Sequence, residues 1–154
     1  MLERFKTAKR AEIDRLEEQA RDRLIPPPFA GTRPSLAEAL ERHGPGAVIA
    51  EYKPASPSQG PINPGLRPED VASAYAAGGA SALSVLTEET YFQGSLSFLE
   101  RMTDPGLPLL RKDFLFHPLQ IWATAATPAS ALLLIVAMFE ERSELADMIA
   151  SCAD

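Results

Sequence analysis

From residue 47 onward, strand-like and helix-like segments alternate without interruption. "AVIAEYK" (47–53) reads as a strand and "RPEDVASAYAAGG" (67–79) as a helix closed by paired glycines. "SALSVLTE" (81–88) reads as a strand, followed by a short helix, "GSLSFLERM" (94–102), with Ser95 as its cap. "LPLLRKDF" (107–114) and "HPLQIWATAAT" (117–127) form a third pair, and "SALLLIVAM" (130–138) with "ERSELADMIASCA" (141–153) a fourth. Strands joined through helices pair in parallel, with the helices covering the sheet faces. The nearly continuous apolar strands agree, because parallel strands are buried on both sides. An α/β fold is the expectation.

Two further helices precede this rhythm. In residues 2–24, Leu2, Phe5, Ile13, Leu16, Ala20 and Leu24 fall near one face. "IPPPF" (25–29) ends that helix. Arg4, Lys6, Lys9 and Arg10 could suggest an RNA-binding face, but Glu3, Glu12, Asp14, Glu17 and Glu18 interleave with them, so a solvated face is the better reading. "PSLAEALERHG" (34–44) is a second helix, with Ser35 as N-cap, Glu38 three residues on and Gly44 as stop.

Composition narrows the function classes. The 154 residues carry a net charge of −6, which disfavours nucleic-acid and anionic-membrane partners. "ALLLIVAMF" (131–139) is about half the length of a membrane-spanning helix, and the amino terminus has no signal-peptide core. Cys152 is the only cysteine, so an internal disulfide is excluded and a reducing cytoplasm is the expected location. No His, Cys, Asp and Glu grouping has metal-ligand spacing, and Ser56 has no adjacent histidine to make it a nucleophile. His43 and His117 read as surface histidines in loops.

The strand ends carry the chemistry. Glu51 and Lys53 are two residues apart and therefore share a face of their strand. Pro54, Pro57 and Gly60 then open a loop. Thr87 and Glu88 end the next strand, and Arg111, Lys112 and Asp113 the one after. In a (β/α) barrel such ends converge on one mouth.

"VIAEYKPASPSQG" (48–60), "GGASALSVLTEETYFQGSLSFL" (78–99) and "LPLLRKDFLFHPLQI" (107–121) resemble, in order and separation, three signature stretches of indole-3-glycerol phosphate synthase. The resemblance implies a (β/α)8 TIM barrel with an additional N-terminal helical segment. On that reading residues 1–46 are the helical extension and 47–154 the first four βα units, a half barrel. It implies ring closure with decarboxylation and dehydration of 1-(2-carboxyphenylamino)-1-deoxyribulose 5-phosphate in tryptophan biosynthesis, with no metal or organic cofactor.

Residue by residue, the resemblance makes Lys112 the general acid that protonates the ribulose carbonyl oxygen. Glu51 is a catalytic carboxylate that positions this lysine, and Lys53 binds anionic parts of the substrate. Ser56 is a phosphate ligand, and Phe92 and Phe114 line the pocket for the anthranilate ring. Glu88 is read either as a substrate-site acid or as a structural acid that neutralises neighbouring lysines. Phe114 competes with a plain core reading, and Arg111 and Asp113 are expected to make supporting ion pairs. "YFQGS" (91–95) resembles an expression-tag remnant, but the family has a matching aromatic–Gly–Ser stretch there, so it reads as native.

Departures are local. Pro54 stands where the family is usually basic, and Thr124 and "TPAS" (127–130) replace a usual Glu and an Ala-Gly-Ala-Asp-like turn. The family's strands five to eight, with a second catalytic glutamate and the phosphate loops, are not in these residues; a full barrel takes roughly 250. The half barrel is expected to expose two apolar sheet edges, to self-associate or pair with a C-terminal half, and to be inactive or weak alone. Competing readings are another phosphosugar isomerase barrel and a non-catalytic half-barrel assembly module.

Overall fold

The computed structural model describes residues 2–152. In chain order the elements are α1 (Glu3–Arg21), α2 (Leu36–His43), β1 (Ile49–Tyr52), β2 (Ala55–Ser56), β3 (Gly60–Pro61), α3 (Pro68–Ala77), β4 (Ala82–Leu86), α4 (Ser97–Arg101), β5 (Leu109–Lys112), α5 (Pro118–Ala125), β6 (Ala131–Leu132) and α6 (Arg142–Ser151). Single 3₁₀ turns occupy Gly44–Gly46 and Val136–Met138. They divide into two compact units. The first takes Met1–Phe29, Phe114–Ala126 and Leu133–Asp154, and the second Ala30–Asp113 and Thr127–Leu132.

In the first unit α1 packs on α5, and α5 on α6. Phe5 and Ile13 are buried along α1, as the spacing predicts, whereas Leu24 is 66% exposed. The helix stops before the prolines are reached. Arg23 adopts a left-handed conformation (φ 59°), the Leu24 amide donates to the Gln19 carbonyl, and the Arg23 amide to that of Ala20. This is a Schellman ending with arginine where glycine is usual. Lys9 departs from the expected solvated face: it is 3% exposed and paired with Glu12. It lies one turn from Phe5 and one from Ile13, so its stem continues their apolar stripe while Glu12 compensates its charge. His117 is not a loop histidine but the cap of α5, its Nδ1 accepting the Leu119 amide at 3.3 Å. Gln120 completes this cap by accepting the Phe116 and His117 amides.

The second unit holds a four-stranded, all-parallel sheet in the order β1-β4-β5-β6. Its apolar core is formed by Tyr52, Leu83, Val85 and Leu109 from the strands with Val71, Leu99 and Met102 from α3, α4 and its end. Central β4 is buried at every position, consistent with a parallel strand covered on both faces. Ser35 caps α2 as expected, accepting the Glu38 amide at 3.2 Å.

Two expectations are corrected here. Ser95 does not cap a helix beginning at 94: its Oγ accepts the Ser97 amide, and α4 begins at Ser97. The apolar run 130–138 forms a strand only at Ala131 and Leu132, before turning into 3₁₀ at Val136. Among the described residues β6 has a hydrogen-bonding neighbour on one side alone, so hydrophobicity by itself does not extend the ladder. The fold is a TIM-barrel-type half barrel, with the barrel not closed. Among the described residues no helix is long and apolar enough to cross a membrane.

Candidate active site

The register explains how residues far apart in the chain meet. β1 aligns Glu51 with Ser84 of β4, and β4 aligns Ser84 with Leu110 of β5 and Leu86 with Lys112. Aligned residues of a parallel sheet share a face and successive residues alternate. Glu51 and Lys112 therefore project from the same face, one pleat apart along the strands, and Lys53 follows Glu51 on that face.

Their side chains converge. Lys112 Nζ donates to Glu51 Oε2 at 2.9 Å, and Lys53 Nζ lies 3.1 Å from Glu51 Oε1. One carboxylate thus bridges two ammonium groups. All three remain accessible, with side-chain exposures of 38% for Lys53, 29% for Glu51 and 37% for Lys112. Partial burial raises the Glu51 pKa, but hydrogen bonds and charges from Lys112 and then Lys53 outweigh it, so the carboxyl lies below its ordinary value. Two lysines against one glutamate leave one uncompensated positive charge. The Tyr75 hydroxyl, from α3, fixes the same strand by donating to the Glu51 carbonyl at 2.9 Å.

Arg111 and Asp113 take the opposite face of β5. Arg111 is fully buried, its Nη2 donating to Asp113 Oδ2 at 2.8 Å and its Nε to Thr87 Oγ1 at 3.1 Å. Thr87 in turn donates to Asp113 Oδ2 at 2.6 Å. The supporting ion pair is present as expected. The strand-end residues do not all reach one mouth, however: period two sends Thr87, Arg111 and Asp113 to the other side.

Glu88 is fully buried, and its partners are backbone amides rather than lysines. Oε1 accepts from Thr90 at 3.0 Å, and Oε2 from Tyr91 at 2.7 Å and Phe92 at 3.0 Å. The loop it holds includes Gln93 at φ 52° and Gly94, whose position leaves no room for a side chain. The Gly94 amide donates to the Glu88 carbonyl at 2.7 Å. "YFQGS" is therefore built into the turn after β4. Phe92 is half-buried, and its carbonyl accepts the Ala55 amide at 3.1 Å. Ser56 lies in the β2–β3 hairpin, where its Oγ accepts the Gln59 amide at 3.2 Å. Phe114 falls in the first unit, where its ring stacks on Phe5 with centroids 3.9 Å apart. Among the described residues no group of three or more His, Cys, Asp or Glu side chains could hold a metal ion. The tyrosine anchor at 75 has no sequence signature, because a tyrosine on a half-buried helix gives no signal of its hydroxyl's target.

Comparison with known proteins adds an independent line. The family model for indole-3-glycerol phosphate synthase matches residues 2–153. A protein of that name from Roseiflexus sp. (strain RS-1) is 43% identical, across 93% of this chain and 56% of its own length. One from Roseiflexus castenholzii is 40% identical, across 100% of the chain and 60% of its own length. One from Dehalococcoides mccartyi is 53% identical, across 59% and 37%. The chain thus spans a little over half the length of the first two relatives. With parallel strands, a lysine–glutamate–lysine cluster at their carboxyl ends and a match over almost every residue, the chain belongs to the indole-3-glycerol phosphate synthase family.

Proposed function

We propose that this chain supplies the catalytic rim for ring closure of 1-(2-carboxyphenylamino)-1-deoxyribulose 5-phosphate, with loss of carbon dioxide and water. The observation that carries the reading is the Glu51 carboxylate bridging Lys53 and Lys112 at the ends of β1 and β5. A positioned ammonium can donate a proton to a carbonyl oxygen as a neighbouring nucleophile adds, which is the role assigned to Lys112. Glu51 orients that ammonium. Lys53 brings positive charge for the carboxylate or phosphate of the substrate, with Ser56 as a hydroxyl donor to phosphate. Phe92 offers aromatic surface for the anthranilate ring. No organic cofactor or metal is invoked.

We assign residues 1–46 to the helical extension and 47–154 to the first four βα units. The sheet supports a pairing partner: among the described residues β1 and β6 each pair on one side only. Such edges favour pairing with a C-terminal half barrel or self-association. The chain alone is expected to be inactive or weak, and its place is the cytoplasm, where soluble phosphorylated intermediates are handled. Light scattering that finds a well-folded monomer at high concentration refutes the association.

The catalytic reading is tested by mixing the chain with a separately produced second half of a family barrel and following fluorescence of the indole product. Lys112→Ala is expected to lower the rate on the order of 100-fold or more. An unchanged rate removes Lys112 from the mechanism.

A further inference from the structure

We infer that Glu88 is a positioning residue that ties the loop after β4 to the loop after β1, fixing the spacing at which the site takes a ligand with both an aromatic ring and an anionic group. This rests on the functional reading above for the identity of the two subsites, and on the structure for the tie itself. The carboxylate is fully buried and takes three consecutive amides, those of Thr90, Tyr91 and Phe92. Bonds to an ionised acceptor are short and strong, and removal of one partner leaves buried donors unsatisfied. Phe92 is then fixed at its amide by Glu88 and at its carbonyl by Ala55. Ala55 is followed directly by Ser56 and lies two residues after Lys53. Two hydrogen bonds therefore run from one buried carboxylate to the hairpin that carries the anion-binding candidates.

The consequence is specific to ligands that use both loops. Each loop can meet a small ligand by itself. Only a ligand that spans them gains from a fixed separation, because its second contact is made at the effective concentration set by the first. Glu88→Gln weakens the tie without removing bulk: one carbonyl oxygen remains, and the new NH₂ group faces an amide donor.

Three probes are titrated into the 154-residue chain by calorimetry: 2-aminobenzoate, inorganic phosphate, and an N-(phosphonooxyalkyl)-2-aminobenzoate that joins them. Amide exchange at Ala55 and Phe92 is followed by NMR. In Glu88→Gln, both amides are expected to exchange faster and the joined probe to lose about tenfold or more in affinity, while the separate probes bind nearly as before. An unchanged affinity for the joined probe, or an equal loss for all three, overturns the inference. If the variant lacks a native far-UV circular dichroism spectrum, Ala55→Pro replaces it. That change deletes the inter-loop donor with Glu88 intact, and wild-type affinity for the joined probe then overturns the inference. If the wild-type chain binds none of the probes, the ligand part of this inference is overturned, whereas the functional reading is decided separately by the rate measured with the second half present. The Ala55 exchange rate in Glu88→Gln still decides the tie: faster exchange supports it, and an unchanged rate overturns it.

Discussion

Gly94→Ala perturbs the tightest backbone approach around the site, and its cost can be worked from the distances. A Cβ at 94 would stand 2.5 Å from the Leu86 carbonyl oxygen, 2.7 Å from the Thr87 carbonyl carbon and 2.8 Å from the Glu88 carbonyl oxygen. All three are backbone atoms. Leu86 belongs to β4, held between β1 and β5, so it cannot turn aside as the tip of a side chain would. The closest ordinary carbon–oxygen contacts are about 3.3 Å, so the 93–95 segment must retreat by about 0.8 Å. That movement would stretch the 2.7 Å bond from Gly94 to the Glu88 carbonyl to the limit of a hydrogen bond. Overpacking costs about 1–3 kcal/mol, and a lost backbone hydrogen bond about 0.5–1.5 kcal/mol. The sum, about 1.5–4.5 kcal/mol, is a large share of a domain stability of roughly 5–15 kcal/mol. Urea unfolding followed by circular dichroism measures it directly, and the melting temperature should fall by roughly 5–15 °C. A loss below about 0.5 kcal/mol would refute the close approach, and with it the reading of 91–95 as an integral turn.

The remaining predictions concern charge. Glu51 has its pKa lowered on folding, because the lysine contacts outweigh the opposing effect of burial. A depressed carboxylate stabilises the fold above its unfolded value near 4.5 and loses that contribution as pH falls through the folded value. Wild type should therefore exceed Glu51→Gln in urea midpoint at pH 7, by no more than about 1 kcal/mol given the exposure of the pair, and the two should converge in the acid range below 4.5; a gap independent of pH contradicts the ion-pair assignment. Asp113→Ala strands the fully buried Arg111 guanidinium and is expected to cost about 3–5 kcal/mol in chemical denaturation. A near-neutral result would show that Arg111 finds its compensation elsewhere.

The three side chains of the rim were readable because two periodicities locate them. The spacing of Glu51 and Lys53 puts them on one face, and the alternation of strands with helices brings the end of β5 back to the same end of the sheet as that of β1, with β4 between them. What the sequence hid depends on partners rather than on patterns. Lys9 looks like one cation among several on a solvated helix, and its burial follows from where α1 is packed. Glu88 looks like a reactive strand end, yet its oxygens are used by amides that come near only once the following turn has formed. The run 130–138 is apolar enough for a nine-residue strand, but a ladder needs a neighbouring backbone along its length, and two residues have one.

β5 displays Lys112 on one side, between two residues whose side chains are joined to each other on the other side. Sliding this strand by a single position would exchange those sides, sinking an ammonium among leucines and valines and carrying the guanidinium and its carboxylate together away from the Thr87 hydroxyl that both contact. Misaligned pairings during assembly are thus penalised twice, and the lysine proposed as proton donor is also one that reports whether the sheet has been threaded correctly.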